Sequence, residues 1–232
     1  MITLKEVCKS FHKDNKSINV LSNFSYQIKD WTILWLFWPN WAWKTTLLNI
    51  IAKMETPDSG LLETNNKTIS YVHQNYSEIL LPRYNCLQNI TLVRDIKKLD
   101  KEEWIKLLEE MKKDLDLDFS LEKYPNELSG WQKQIVAIIR ALIVRPDVII
   151  LDEAMSWLDI ERREIVMNLL KKYTSENTII IFCSHRWQEI SWIINKAIVL
   201  DKMPLWISKE YSLIDMWDTF TDKISSITFN DW

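Results

Sequence analysis

Glycine is nearly absent from this chain. Its 232 residues contain two, Gly60 and Gly130, where a domain of that length ordinarily holds about 16. That composition is abnormal for a globular domain. Long apolar runs are missing too. None approaches the ~18 residues of a membrane span, and the stretches Val148–Leu151 and Thr178–Cys183 have the length of buried strands. Met1–Ser10 carries Lys5, Glu6 and Lys9 and lacks a signal peptide's apolar core. The expectation is a soluble protein whose membrane role, if any, comes through a partner. The three cysteines, Cys8, Cys86 and Cys183, form no CxxC pair, so free thiols in a reducing cytosol are expected. A formal net charge of −3 gives no general attraction to nucleic acid.

In contrast, tryptophan is in excess. The chain has 13, and 13 with the two glycines comes close to the ordinary glycine number. A sequence whose glycines had nearly all been replaced by tryptophan would have this composition. The positions of the tryptophans decide whether that idea holds.

Along the chain, Ile2–Val7 alternates apolar and polar as a half-buried strand does. Leu21–Ile28 and Thr32–Phe37 read as further strands, and Leu47–Lys53 as a helix. Pro57-Asp58-Ser59-Gly60 is a turn in which Pro presets φ and Gly accepts a positive value. Residues 88–123 are rich in Leu, Lys, Glu and Asp at helical spacing, and a further helix runs from Ser129 through Ala141. Val148–Leu151 and Thr178–Cys183 are buried strands flanking a helix over Ile160–Tyr173. This alternation predicts an α/β fold with a mainly parallel sheet and a helical insertion between about residues 85 and 140. From about Trp206 onward the pattern assigns nothing.

The segment Trp38-Pro39-Asn40-Trp41-Ala42-Trp43-Lys44-Thr45-Thr46 lies between a strand and a helix, where a phosphate-binding loop GxxxxGK[ST] belongs. The Lys-Thr pair is present, but tryptophan occupies both glycine positions, 38 and 43. With glycine at 38, 41 and 43 the segment reads GPNGAGKTT. Glycine matters there because backbone N–H groups must wrap the phosphates with no side chain between. Lys44 would reach the β- and γ-phosphates, Thr45 would hold Mg²⁺, and the following helix would add its positive end.

Other segments join this one in a fixed order. Phe11 follows Lys9-Ser10, and Gln74 closes Tyr71-Val72-His73-Gln74. Leu128-Ser129-Gly130-Trp131-Gln132 reads LSGGQ with one tryptophan for glycine. An apolar strand ends in Asp152-Glu153, Ser156-Trp157-Leu158-Asp159 reads SGLD with the same exchange, and Ser184-His185 follows a strand. Singly, each has an ordinary structural explanation; an acid pair after a strand, for instance, also caps helices. In this order they resemble the nucleotide-binding domains of ABC transporters, over about residues 2–205, with 206–232 an unassigned tail. Leu80-Leu81-Pro82 followed by Asn89-Ile90 looks like importers of the nitrate, sulfonate and taurine type.

The resemblance implies a P-loop core, an N-terminal antiparallel β portion and a helical subdomain carrying the signature. It implies hydrolysis of ATP to ADP and phosphate with Mg²⁺, coupled to solute movement. Asp152 would bind Mg²⁺ directly or through water, with Thr45 and Gln74 as further metal contacts. Glu153 would polarise the attacking water, and His185 would contact the γ-phosphate. Phe11 would stack on adenine. Two domains would sandwich two ATP molecules head to tail, as a homodimer or a heterodimer. Ser129, Gly130, Trp131 and Gln132, with Asp159 in the D-loop, would then meet the partner's nucleotide. Transmembrane permease subunits, contacted by the region after Gln74, and a solute-binding protein are the implied partners, at the inner face of the cell membrane. A non-transport ABC ATPase would need a long coiled-coil insertion, and no such heptad run is present.

Trp38, Trp41, Trp43, Trp131 and Trp157 all occupy glycine positions of these motifs, and Trp31 and Trp35 are candidates for the same exchange. So systematic a pattern requires a systematic cause. Some bacterial lineages read the codon UGA as glycine and others as tryptophan, so a glycine codon translated with the other table accounts for it. Taken as written, the chain would be a nucleotide-dead interaction module, because indoles would fill the phosphate space.

Overall fold

The computed structural model describes residues 1–13, 16–37, 44–73, 80–97, 100–155, 158–184, 193–201 and 204–212. Strands β1 (Ile2–Lys13) and β2 (Lys16–Ile28) pair antiparallel, with Ile2 opposite Ile28 and Phe11 opposite Ile18. Strand β4 (Ser59–Glu63) pairs antiparallel on the other side of β1, setting Thr3 against Glu63. The ladders shift register around Val7 and Lys9, and β1 bends there, with Glu6 at φ 49°. Gly60, at φ 88°, fits against that bend. A Cβ on it would lie 2.4 Å from the Glu6 carbonyl oxygen, so only glycine fits.

The larger sheet has the order β5-β6-β7-β3-β8-β9. It contains β3 (Ile33–Phe37), β5 (Ile69–Val72), β6 (Val148–Asp152), β7 (Ile179–Cys183), β8 (Lys196–Asp201) and β9 (Trp206–Ser212). The first five run parallel and β9 closes the edge antiparallel to β8. The tail that assigned nothing from its pattern therefore begins with an edge strand. Every residue of β6 and β7 is buried, as expected of parallel strands covered on both faces.

Alternation along those strands separates two apolar layers. Leu34, Leu36, Val148, Ile150, Ile179 and Ile181 face one side, against Leu47, Leu48, Ile50 and Ile51 of helix α1 (Lys44–Ile51) and against Ile2, Leu4 and Val7 of the small sheet. Trp35, Phe37, Ile149, Leu151, Ile180 and Phe182 face the other. That second layer packs on helices α2 (Cys86–Lys97), α3 (Lys101–Asp114), α4 (Gly130–Leu142) and α5 (Ile160–Tyr173). Helix α4 is the most deeply set, with Ile135, Val136, Ile138, Ile139 and Leu142 at 2% exposure or less. Each such side chain contributes about 1.5–3 kcal/mol by burial.

Helices α2, α3 and α4 fall between β5 and β6, with a break between α2 and α3 where Asp100 caps α3 by accepting from the Glu103 N–H at 2.8 Å. Asn89, fully buried, ties α2 to the preceding segment. Its Oδ1 accepts from Leu81 N at 2.8 Å, while Nδ2 donates to the carbonyls of Tyr84 and Asn85. Among the described residues no helix is long and apolar enough to cross a membrane.

Candidate functional site

Parallel α/β sheets bind ligands beyond the carboxyl ends of their strands, and several of the expected residues gather at that edge. Helix α1 opens at Lys44, with Thr45 exposed and Thr46 buried in its first turn. Strand β6 delivers Asp152, 2% exposed, and Glu153 follows at 7%. Glu153 sits in the left-handed region at φ 51°, a conformation that costs of order 1–3 kcal/mol for a residue with a side chain. Its N–H donates to the Cys183 carbonyl at the end of β7 at 2.8 Å, which fixes the acid between two strand ends.

Asp152 is held from β5. The Tyr71 hydroxyl donates to its Oδ2 at 3.2 Å, and the Tyr71 ring stacks on His73 with centroids 3.8 Å apart. Burial, then the Asp152 charge, drives the Tyr71 phenol far above its ordinary pKa, so it stays a neutral donor. Burial pushes the His73 imidazole down, which favours the uncharged ring beside its stacking partner. Neither Tyr71 nor His73 was singled out in the sequence. Only their position just before Gln74 marks them.

The signature segment serves locally as a helix cap. Ser129 Oγ accepts from Gln132 N at 3.4 Å and Gln132 Oε1 accepts from Ser129 N at 3.0 Å, a reciprocal box at the start of α4. Gly130 and Trp131 form the first turn, with the Arg162 guanidinium 4.2 Å from the Trp131 ring centroid. Asp159 likewise caps α5, accepting from Arg162 N at 2.9 Å. Both helix N-termini carry the partial positive charge that suits phosphate. Arg162, which the motifs did not indicate, pairs with Asp159 at 3.1 Å and so joins the D-loop to the signature helix.

Phe11 lies on β1, partly exposed and packed on the layer that contains α1. Asp152 closes β6 at its carboxyl end with Glu153 next to it, and Thr45 lies in the first turn of α1, whereas Phe11 shares only the layer that contains α1. Ser129–Gln132 belong to the layer on the opposite face of the sheet from α1. Trp38, Pro39, Asn40, Trp41, Ala42, Trp43, Gln74, Trp157 and His185 lie outside the described residues.

The backbone also bears on the tryptophans. Trp31 occupies a turn at φ 71° with its side chain exposed, a conformation natural to glycine and rare for a bulky residue. Trp35 carries no such demand. It is a regular strand residue, fully buried, whose Nε1 donates to the Ser184 carbonyl at 2.8 Å.

The sequence model of the ABC transporter family matches residues 21–156. An uncharacterized ABC transporter ATP-binding protein of Methanocaldococcus jannaschii is 29% identical over 223 residues, covering 93% of this chain and 82% of the relative. A probable sulfate/thiosulfate import ATP-binding protein of Chlorella vulgaris is 28% identical over 211 residues, 86% of this chain and 87% of that one. Among solved structures, a dimeric ATP-binding cassette in a post-hydrolysis state, bound to ADP and Pi, superposes with a TM-score of 0.79. It is 28% identical, over 92% of this chain and 99% of the other. With a family match spanning more than half its length and a cassette's sheet and helices around it, this chain belongs to the ABC transporter family and is one of its ATP-binding cassettes.

Proposed function

We propose that this cassette hydrolyses ATP to ADP and phosphate and that the reaction powers solute movement through partner permease subunits. The observation that supports this most is a buried Asp152-Glu153 at the end of β6 together with a helix that opens at Lys44-Thr45 and packs on the same sheet. Glu153 accepts a proton from a water molecule as the water oxygen attacks the γ-phosphorus. The bond from that phosphorus to the bridging oxygen breaks and ADP leaves. Because its backbone is fixed to Cys183, the carboxylate approaches from a set direction, which is where positioning lowers a barrier. Lys44 binds the phosphates, Gln74 and His185 approach the γ-phosphate, and Phe11 stacks on the base.

The donors fit Mg²⁺. The Thr45 hydroxyl and Asp152 carboxylate are hard oxygen ligands, and no group of three His, Cys, Asp or Glu gathers among the described residues. This cation usually sits on one or two protein oxygens plus nucleotide phosphates, not in an all-protein cage. When bound it would neutralise charge on the transferring phosphoryl group.

Placement of Ser129–Gln132 on the opposite face from α1 favours their acting on a second copy's nucleotide, in a head-to-tail dimer. The cassette as we assign it runs from residue 1 through β9, with residues 85–140 as the helical subdomain and the remainder a tail. Import, with a solute-binding protein, is favoured by the import function named for the Chlorella relative. We assign the cassette to the inner face of the cell membrane.

This reading requires glycine at 38, 41 and 43 in the native protein. Phosphate release from ATP by the full chain, abolished by Glu153→Gln, tests the activity. Codons TGG at 38, 41 and 43 would overturn the glycine assignment.

A further inference from the structure

Lys9 is a lysine buried where most lysines are solvated; its side chain is 11% exposed. Its Nζ meets three acceptors, Glu55 Oε1 at 2.6 Å, Asp58 Oδ1 at 3.3 Å and the Thr56 carbonyl at 2.8 Å. An ammonium has three N–H donors, so every one is used. Glu55 above all, against the opposing effect of burial, holds the Lys9 pKa above its ordinary value, and the group stays charged.

All three acceptors lie between α1 and β4, in a segment rigidly joined to α1. The N–H groups of Met54 and Glu55 both donate to the Asn49 carbonyl, at 2.8 and 3.2 Å. The same segment grips β1 twice more. Asp58 Oδ2 accepts from Ser10 N at 2.7 Å, and Asp58 N donates to the Cys8 carbonyl at 2.9 Å. The stretch of β1 from Cys8 to Ser10 is therefore bolted to the far end of the helix that opens at Lys44. The immobilised ammonium also lies 5.3 Å from the centroid of the Phe11 ring, within the range of a cation–π attraction.

An ion cluster whose carboxylates stay exposed, 34% for Glu55 and 48% for Asp58, is weak as a source of stability. Its value is geometric. We propose that Lys9 is a positioning residue for the nucleotide base: it fixes the Phe11 ring relative to α1, setting the base-stacking face at a constant distance from the phosphate-binding helix start. The inference rests on the reading of Phe11 as the base platform.

The test compares two ligands of the full native chain, ATP and inorganic tripolyphosphate, each with Mg²⁺. Only ATP offers a base. Lys9→Met should weaken ATP binding severalfold, because the Phe11 ring is no longer held where the base stacks, and leave tripolyphosphate binding unchanged. Lys9→Arg should recover most of the loss, and Lys9→Met added to Phe11→Ala should cost nothing further. Equal losses for both ligands, or none for either, would overturn the proposal. If Lys9→Met does not fold, Glu55→Gln carries the same expectation and the same refutation. Two outcomes strike the underlying reading instead. Phe11→Ala binding ATP as tightly as the parent removes the base platform, and a native chain that binds neither ligand removes the nucleotide site.

Discussion

The N–H of Glu153 donates to the carbonyl of Cys183 at 2.8 Å, tying the acid after β6 to the end of β7, two positions before His185. Glu153 sits there at φ 51°, its backbone bound at the ends of two strands. Replacing the carboxylate by an amide keeps shape and bond but removes the proton acceptor. Glu153→Gln should retain ATP binding, lose most hydrolysis, at least about 100-fold on the scale of general-base removal, and accumulate an ATP-bound dimer. Hydrolysis near the parent rate would remove Glu153 from its proposed role.

Lys44→Ala should behave differently. A lysine on the phosphates contributes in the ground state as well as the transition state, so ATP affinity itself should fall. Unchanged affinity, measured by titration, would exclude Lys44 from the site.

Much of this was legible in the sequence, for reasons that mark what was not. Strands β6 and β7 and helix α5 stand out because parallel strands buried on both faces read as unbroken apolar runs. Strand β9, with Ser208, Lys209 and Glu210 in succession and little burial, exists because β8 offers it an edge, and no local pattern announces that. The signature Ser129 and Gln132 were legible as a motif, but their capping box on α4 was hidden behind it. Lys9 and the contact of Arg162 with Trp131 were missed because the partners, Glu55 and Trp131, are distant in sequence, and a charged residue alone reads as solvated.

Asn89 offers a test of packing rather than chemistry. Asn89→Ala leaves the Leu81 N–H and the Tyr84 and Asn85 carbonyls without their side-chain partner and opens a small void. A loss of about 2–3 kcal/mol in urea unfolding is expected, mostly from desolvated groups left unpaired. A change under about 0.5 kcal/mol, the scale of a surface substitution, would show that the segment before α2 does not depend on this residue.

Stability should also respond at both ends of the pH scale through Asp114, which joins α3 to α5. Its carboxylate accepts from Lys172 Nζ and from the Tyr173 hydroxyl, and these two bonds hold its pKa below the ordinary 3.8. The contribution is complete above that value and is lost as pH falls through the lower folded value. Tyr173 runs the other way. Burial, then the bond to Asp114, pushes its phenol up from 10.0 to about 12, so its contribution is complete below pH 10 and is lost between 10 and 12. Urea midpoints of the parent and Tyr173→Phe should differ below pH 10 and converge by pH 12. A constant difference across that range would exclude the linkage.

The tryptophans themselves give the final test. Trp31 adopts φ 71° in an exposed turn, where an indole gains nothing by burial and the backbone favours glycine. Trp104 is the opposite case. It is 5% exposed at the end of the first turn of α3, on the buried face with Leu107, Leu108 and Met111, with the Arg94 guanidinium 5.3 Å from its ring centroid. Glycine there would weaken the helix by roughly 0.5–1 kcal/mol and empty a core site. Peptide mapping of the protein from its own organism should therefore find glycine at 31, 38, 41, 43, 131 and 157 and tryptophan at 104. Its intact mass should fall below 27.8 kDa by one tryptophan-to-glycine difference per exchanged position, and its absorbance at 280 nm should drop in proportion. A mass and absorbance that match 13 tryptophans would end the recoding idea. The proposed hydrolysis would end with it, because backbone N–H groups cannot wrap phosphates in a loop whose glycine positions carry indoles.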